Sequence, residues 1–435
     1  MKRQEGSARD ESRPEKLTEP ARSSALAPFR VKSYRFQWPA DMLTSWAFEM
    51  EVLILGWYVL VETGSVVLLT VLGSLMFLGT LVAPMFGVFG DRIGHRNLLA
   101  GMRAIYAALA TIMVTLVFTG LIAPLYVFIL VAIMGLIRPS DIGVRGALVA
   151  SIMPQAYLVS AMSLSRSTMD SARVAGALTG AGMFAVLGMG AAYIVIAALY
   201  TASMILTLCI SPSSEKKSAA QIDSELVRPS PWRDLSEGLA YVWKTPSLQA
   251  ALWIAFLVNL TAYPFTGNLL PYIARDVHHT DQTGLGYLSA SFALGALLAS
   301  MMLSQLSGVK LARMMLVSTG VWHVLLIVFA HLQTMPAAIA CLMMAGIAQS
   351  FAMITLAVIL LRTAGERYRG RVMGLRMMAI YSLPIGLLIA GPLIERLGFA
   401  ATASLYAAIG LAATVFIAIY WRNDLWRPLA PANTM

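Results

Sequence analysis

Gly87-Val88-Phe89-Gly90-Asp91-Arg92-Ile93-Gly94-His95-Arg96 is a charged, glycine-rich stretch between two long apolar runs, Val66 to Phe86 and Leu98 to Phe118. Each run is about the length that crosses ~30 Å of hydrocarbon as a helix. A charged hairpin between two such helices lies at a membrane surface, and the chain repeats this arrangement from end to end. Fifty-eight per cent of the 435 residues are hydrophobic and only 12% are charged, whereas soluble domains carry about 25% charge. The mean hydropathy is +0.72. The reading is an all-α, multi-pass membrane protein.

Twelve spans are expected, near 40–61, 66–86, 98–118, 124–146, 166–187, 190–210, 248–272, 284–305, 312–331, 336–361, 372–394 and 399–421. Residues 1–38 hold nine Lys/Arg against five Asp/Glu and little apolar periodicity, so they read as a flexible cytoplasmic tail. The tail has no apolar core of a cleavable signal, and the first span is expected to target the chain itself. Spans one to six make a unit over 39–210. A polar linker, 211–247, ends in an amphipathic stretch where Trp232, Leu235, Leu239, Val242 and Trp243 fall roughly on one helical face, which predicts a helix along the membrane surface. Spans seven to twelve fill 248–421, and 422–435 is a second tail.

The net charge of +10 does not indicate nucleic acid, because the basic residues sit in connections and tails. With the N-terminus inside, the outer loops hold only Arg275 and Arg396 of the 32 Lys/Arg. That bias predicts both termini in the cytoplasm. Cys209 and Cys341 both fall in apolar runs and read as packing residues, with no disulfide, metal site or cofactor expected. No phosphate loop or nucleophile elbow is found, which argues against a primary pump and against an enzyme.

The two units echo each other at an offset of roughly 210 residues, the internal symmetry of secondary transporters. Gly94-His95-Arg96 matches Gly308-Val309-Lys310. Tyr157, Met162 and Leu164 match Tyr368, Met373 and Leu375, and Gly176 and Gly188 match Gly386 and Gly398.

These residues resemble a known family. Gly87, Asp91, Arg92, Gly94 and Arg96 fit the G-x-x-x-D-R-x-G-[RK]-[RK] pattern between the second and third helices of the major facilitator superfamily, with His95 as a departure. Trp57-Tyr58-Val59-Leu60, Thr63-Gly64-Ser65, Glu237 to Val242, Thr245-Pro246 and Arg369 to Gly374 are similar to the branch holding macrolide efflux proteins and the enterobactin exporter. The fifth span has Gly176-Ala177-Leu178-Thr179-Gly180-Ala181 where many antiporters carry G-P-x-x-G-G, so the proline is missing. The resemblance implies twelve helices in two pseudo-symmetric six-helix halves, in a bacterial inner membrane. It implies alternating access, and efflux of small amphipathic molecules by proton antiport, with the protein working as a monomer. It also implies that Asp91 latches neighbouring helices, with Arg145 or the start of span eleven near Arg371 as partners. A siderophore or another secreted metabolite is a narrower cargo. A non-transporting membrane sensor or scaffold is the reading from another class, and it would call for a folded soluble appendage, which the sequence lacks.

Ionisable residues at bilayer depth are the chemical candidates, since each costs roughly 2.5–3.5 kcal/mol to insert. Glu49 lies about 14 Å into span one at about 1.5 Å per residue, near the midplane. Glu51 is about 200° round the helix from it, so only one of the two faces a central cavity. Trp46, Glu49, Leu53 and Trp57 form one stripe, and Trp46 and Trp57 are expected to line the substrate cavity. A buried carboxylate can carry a proton, with Glu49 placed slightly ahead of Glu51; the alternative is a helix-locking salt bridge. Arg138, Asp141 and Arg145 form a stripe on span four, and Arg166, Asp170 and Arg173 form another on span five. They are expected either to zip those spans together or to send Arg138 or Arg173 toward a glutamate or an anionic substrate. The second half has little internal charge beyond Arg313 and Arg376, both near helix starts. Asn259, Tyr263, Asn268 and Gln349 are expected on its substrate wall, with Pro264 breaking span seven. His323 reads as a packing residue.

Overall fold

In the computed structural model, residues 27–80, 90, 92–211, 231–303, 310–365 and 368–425 are described. Nine helices among them are long and apolar enough to cross a membrane. One of these, Gln155–Leu208, is broken at Gly188 and supplies both span five and span six. Shorter apolar helices at Val66–Thr80 and Pro246–Thr261 supply spans two and seven. Every expected span therefore has its helix: Lys32–Thr63 for span one, His95–Phe118 for three, Pro124–Ile152 for four, Gln282–Leu303 for eight, Leu311–His331 for nine, Met335–Thr363 for ten, Arg369–Leu397 for eleven and Phe399–Tyr420 for twelve. In a bilayer the backbone has no water to bond, so long helices satisfy it internally. Spans four, seven and ten start with Pro124, Pro246 and Pro336 in the first turn, where a missing N–H costs nothing.

Three boundaries move. Span one begins at Lys32, inside the segment read as a tail. Tyr34 is fully buried and donates to the Ala161 carbonyl at 3.1 Å, and the Trp38 indole donates to the Thr168 hydroxyl at 2.8 Å. This stretch is helical because it packs on the extended start of span five, a tertiary contact that has no local signal. The linker helix forms at Pro231–Trp243, but its apolar residues do not share one environment. Val242 is buried, while Leu239 and Trp243 are exposed. The helix docks on span eleven, where Glu237 pairs with Arg371 at 2.8 Å and the Tyr241 and Tyr368 rings stack at 4.3 Å. Finally, Pro264 breaks span seven as expected: the helix stops at Thr261 and continues only as short turns to Val277.

The repeat is visible in the packing. Gly188 and Gly398 both make the turn into the last span of their half, with φ of +79° and +81°. Side chains rarely adopt that conformation, so both turns need glycine. Gly176 abuts the Trp46 carbonyl of span one, and Gly386 likewise abuts the Leu260 carbonyl of span seven. Gly79 and Gly135 bring spans two and four into backbone contact, and Gly295 and Gly346 do the same for spans eight and ten. A Cβ on Gly135 would overlap the Leu75 carbonyl. Gly135→Val is therefore expected to lower folded yield and the thermal unfolding temperature in detergent, by about 1–3 kcal/mol or more of overpacking. Gly101→Val, where a Cβ meets nothing within 4 Å, is the control, and equal behaviour of the two variants would refute the close approach.

The halves meet at the end of the bundle that carries the 62–65, 273–281 and 395–398 connections. Arg275 donates to the Leu60 carbonyl at 2.6 Å and Ser65 reaches Glu395 at 3.5 Å. Gly56 rests against Pro271, Gly73 against Asn268, and Gly391 against Val67 and Thr70. Nearer the middle, Ser74 bonds the Pro384 carbonyl at 3.2 Å, and Gly286 of span eight meets Ala181 of span five. Beyond these contacts, Arg173 of the first half and Tyr263 of the second lie within electrostatic reach of each other; the space between them is the cleft referred to below.

Candidate functional site

Glu49 and Arg173 form the ion pair of this cleft, Nε to Oε1 at 3.3 Å between spans one and five. Gly176 allows it: a Cβ there would come within 2.7 Å of the Glu49 Cβ. One turn away the Trp46 indole donates to the Thr179 hydroxyl at 2.8 Å, clamping the same two helices. The pair is only partly buried, with side-chain exposures of 24% for Glu49 and 37% for Arg173. Arg173 also lies 3.9 Å from Asp170, whose other oxygen is 3.4 Å from Arg166. Across the cleft, Tyr263 of the broken span seven is within electrostatic reach of Arg173 and accepts a 2.6 Å hydrogen bond from the Gln349 amide.

Glu51 is placed differently. It is 5% exposed and accepts a 2.9 Å hydrogen bond from the Tyr200 hydroxyl of span six. The buried Tyr193 hydroxyl lies near the same carboxylate. Two residues on one helix thus face opposite ways, as the 200° separation requires.

The span-four cluster does not meet the span-five cluster, because span one runs between them. Asp141 and Arg145 pair at 2.6 Å, and Arg145 then turns to span one, 3.3 Å from Asp41 and bonded to Ser45 at 3.0 Å. Arg103 of span three bonds Asp41 and Thr207. Asp41, Arg103, Asp141 and Arg145 are all buried. Their two positive and two negative charges form a closed group that ties spans one, three, four and six together. Arg138 reaches neither glutamate as an ion pair and instead stacks 3.4 Å over the Phe48 ring. Among the described residues these charges therefore do not zip spans four and five together; of the alternative expectation, Arg173 meets a glutamate and Arg138 does not.

A model of the Major Facilitator Superfamily matches residues 38–382 and 252–433. The chain belongs to the Major Facilitator Superfamily. As a member it is similar to the multidrug efflux pump Tap of Mycolicibacterium fortuitum, 27% identical over 168 residues, 38% of this chain and 41% of that protein. It is also similar to the Tap pump of Mycobacterium tuberculosis, 28% identical over 188 residues, 42% of this chain and 44% of that protein. The chain thus matches less than half the length of these relatives. Solved structures of the same fold include the nucleoside transporter NupG (TM-score 0.65, 14% identity, 91% of this chain and 99% of that one). An auto-inhibited POT family peptide transporter is another (TM-score 0.70, 11% identity, 93% and 99%). At these identities the likeness speaks for the fold alone.

This superfamily member is thus a multi-pass membrane protein with the fold of that family. Of its hairpin motif, Gly87 and Asp91 lie outside the described residues. Arg92 is exposed. Gly94 has φ +86° and precedes span three, so the motif needs glycine there. Arg96 bonds the Leu208 carbonyl at the end of span six. Arg145 and Arg371, named as partners for the hairpin, are engaged by Asp41 and Asp141 and by Glu237 respectively.

The expected substrate wall is only partly realised. Tyr263, Gln349 and Trp46 border the cleft. Trp57, 6% exposed, is in the core at the closed end. Asn259 is buried and spends its amide on the Ala255 carbonyl of its own helix. Asn268 packs on Gly73 where the halves touch. In each case, which side of the helix meets the other half was decided by packing that the periodicity of span one or seven alone does not report. His323 is fully buried between Thr261 and the Thr319 carbonyl, at 2.9 and 2.8 Å, in keeping with a packing role. Asp41 and Arg103 went unread in the sequence, although both are ionisable residues inside apolar runs, the signal that pointed to Glu49.

Proposed function

We propose that the protein is a secondary active exporter of small amphipathic organic molecules, driven by proton antiport across a bacterial inner membrane. The observation that carries this reading is the partly exposed Glu49–Arg173 bridge between spans one and five. A proton arriving at Glu49 removes its charge, frees Arg173 and shifts the balance between two arrangements of the halves. The matching segments of the Tap pumps support efflux. The basic bias supports cytoplasmic termini, the side from which an exporter loads. Glu51 serves as a helix-locking acceptor for Tyr200 in this reading, Asp91 remains a hairpin latch, and the unit is the monomer.

The test is transport in proteoliposomes with an imposed pH gradient. Dye uptake should follow the size and sign of the gradient and collapse when a protonophore removes it. Uptake that ignores the gradient would sink proton antiport while leaving the transporter intact.

A further inference from the structure

Arg275 and Arg396 are the two Lys/Arg in the connections at the end where the halves meet, against the basic bias of the chain. The break at Pro264 ends the long helix of span seven at Thr261, and the chain continues in short turns. The last of these, the π-helical turn Ile273–Val277, carries Arg275. Its Nη1 crosses to the other half and donates to the Leu60 carbonyl, in the last turn of span one, at 2.6 Å. The final carbonyls of a helix carry the negative end of its dipole, so a cation is favoured there, and the bond is charge-assisted. The acids nearest in sequence to the two partners, Glu62 and Asp276, are both exposed. The neighbouring contacts between the halves are of another kind. Gly56 on Pro271, Gly73 on Asn268 and Gly391 on Thr70 are packing contacts, and Ser65 stands 3.5 Å from Glu395. The Leu60 carbonyl also accepts from the Gly64 N–H at 2.9 Å. Span one is therefore capped without Arg275, and what the guanidinium adds is a link to the other half. Arg275 is itself only partly buried, so water can take over its N–H groups when the link parts.

We infer that Arg275 is the clasp that holds this end of the two halves shut, by capping the last turn of span one from span seven. The inference rests on the export reading given above, in which the halves rock between two arrangements, and it names a residue that sets the balance between them. Opening this end parts span one from the 273–281 connection, so the bond from Arg275 to Leu60 must break. The firmer that bond, the smaller the share of molecules open there. Losing a hydrogen bond from a charged group shifts such a balance by about tenfold to a hundredfold. The clasp is separate from the Glu49–Arg173 bridge: that pair joins two spans of one half, and this bond joins the halves.

The test is the rate at which a maleimide dye labels a buried thiol in the full chain in lipid nanodiscs, with Cys209→Ser and Cys341→Ala as background. Thr70→Cys places the reporter on span two, fully buried against Gly391 of the other half. Ser203→Cys is the comparison, fully buried within the first half beside the Ala40 carbonyl. Arg275→Gln should raise the labelling rate at position 70 by about tenfold or more and leave the rate at position 203 unchanged. An unchanged rate at position 70 overturns the inference. A matching rise at both positions overturns it too, because it shows a general loosening in place of an opened end. The measurement uses no gradient and no cargo. Its failure therefore leaves the export reading standing, and gradient-insensitive transport alongside the expected labelling sinks antiport alone.

Discussion

Glu49→Gln is expected to reduce pH-gradient-driven transport by roughly tenfold to a hundredfold, the usual range of a coupling energy of about 1–3 kcal/mol. The glutamine keeps the size of the side chain and removes the titrating group. Arg173 then has only Asp170, at 3.9 Å, and no proton event can open or close the bridge between spans one and five. Glu51→Gln is the matched comparison. Glu51 is closed off from the cleft and accepts from Tyr200, and a glutamine oxygen can accept the same bond. That variant should keep most of its response to the gradient. Gradient-driven flux in proteoliposomes, measured for both variants at equal protein content, decides the matter. If Glu49→Gln transports as the wild type does and Glu51→Gln does not, the proton assignment moves to Glu51.

Arg103→Met is expected to cost about 3–5 kcal/mol of stability, because it breaks a buried pair and leaves its partner charged. Arg103 is fully buried, and Asp41 is 5% exposed. Without Arg103, Asp41 must share Arg145 with Asp141, and the Thr207 contact of span six is lost with it. Thermal unfolding in detergent, followed by tryptophan fluorescence, together with the folded fraction by size exclusion, reads the loss. Adding Asp41→Asn to Arg103→Met should recover part of it, since the orphaned carboxylate is then removed. Additive losses in the double variant would show four independent residues and no coupled group.

The physical reason for such a group lies in the bilayer. Within hydrocarbon every charge needs an answer, and a neutral set of two arginines and two aspartates satisfies its members internally at the meeting point of four helices. The Glu49–Arg173 pair differs in being partly exposed. The first arrangement suits a fixed joint and the second a switch, and the difference is one of exposure, not of residue type.

The cleft residues were legible to unequal degrees. Glu49 and Arg173 stood out because charges are rare in apolar runs, and the structure brings them together. Gly176 with Gly386, and Gly188 with Gly398, were legible as a repeat because the same backbone contact and the same left-handed turn recur in both halves. Trp57 and Asn268 were misplaced because a helical stripe gives a direction around its own axis and no information on what stands opposite at a given depth.

The sequence by itself determined the twelve spans, the two halves and the bias of basic residues to one face, because bilayer thickness and the cost of charge act on each segment alone. Only the tertiary structure decided that span one lies between the two charged clusters, that Glu49 and not Glu51 borders the cleft, and that the halves close at one end. Those facts depend on which helix faces meet, and helix faces in an apolar medium are chosen by glycine-sized gaps such as Gly176 and Gly135 and by the few charges that must find each other.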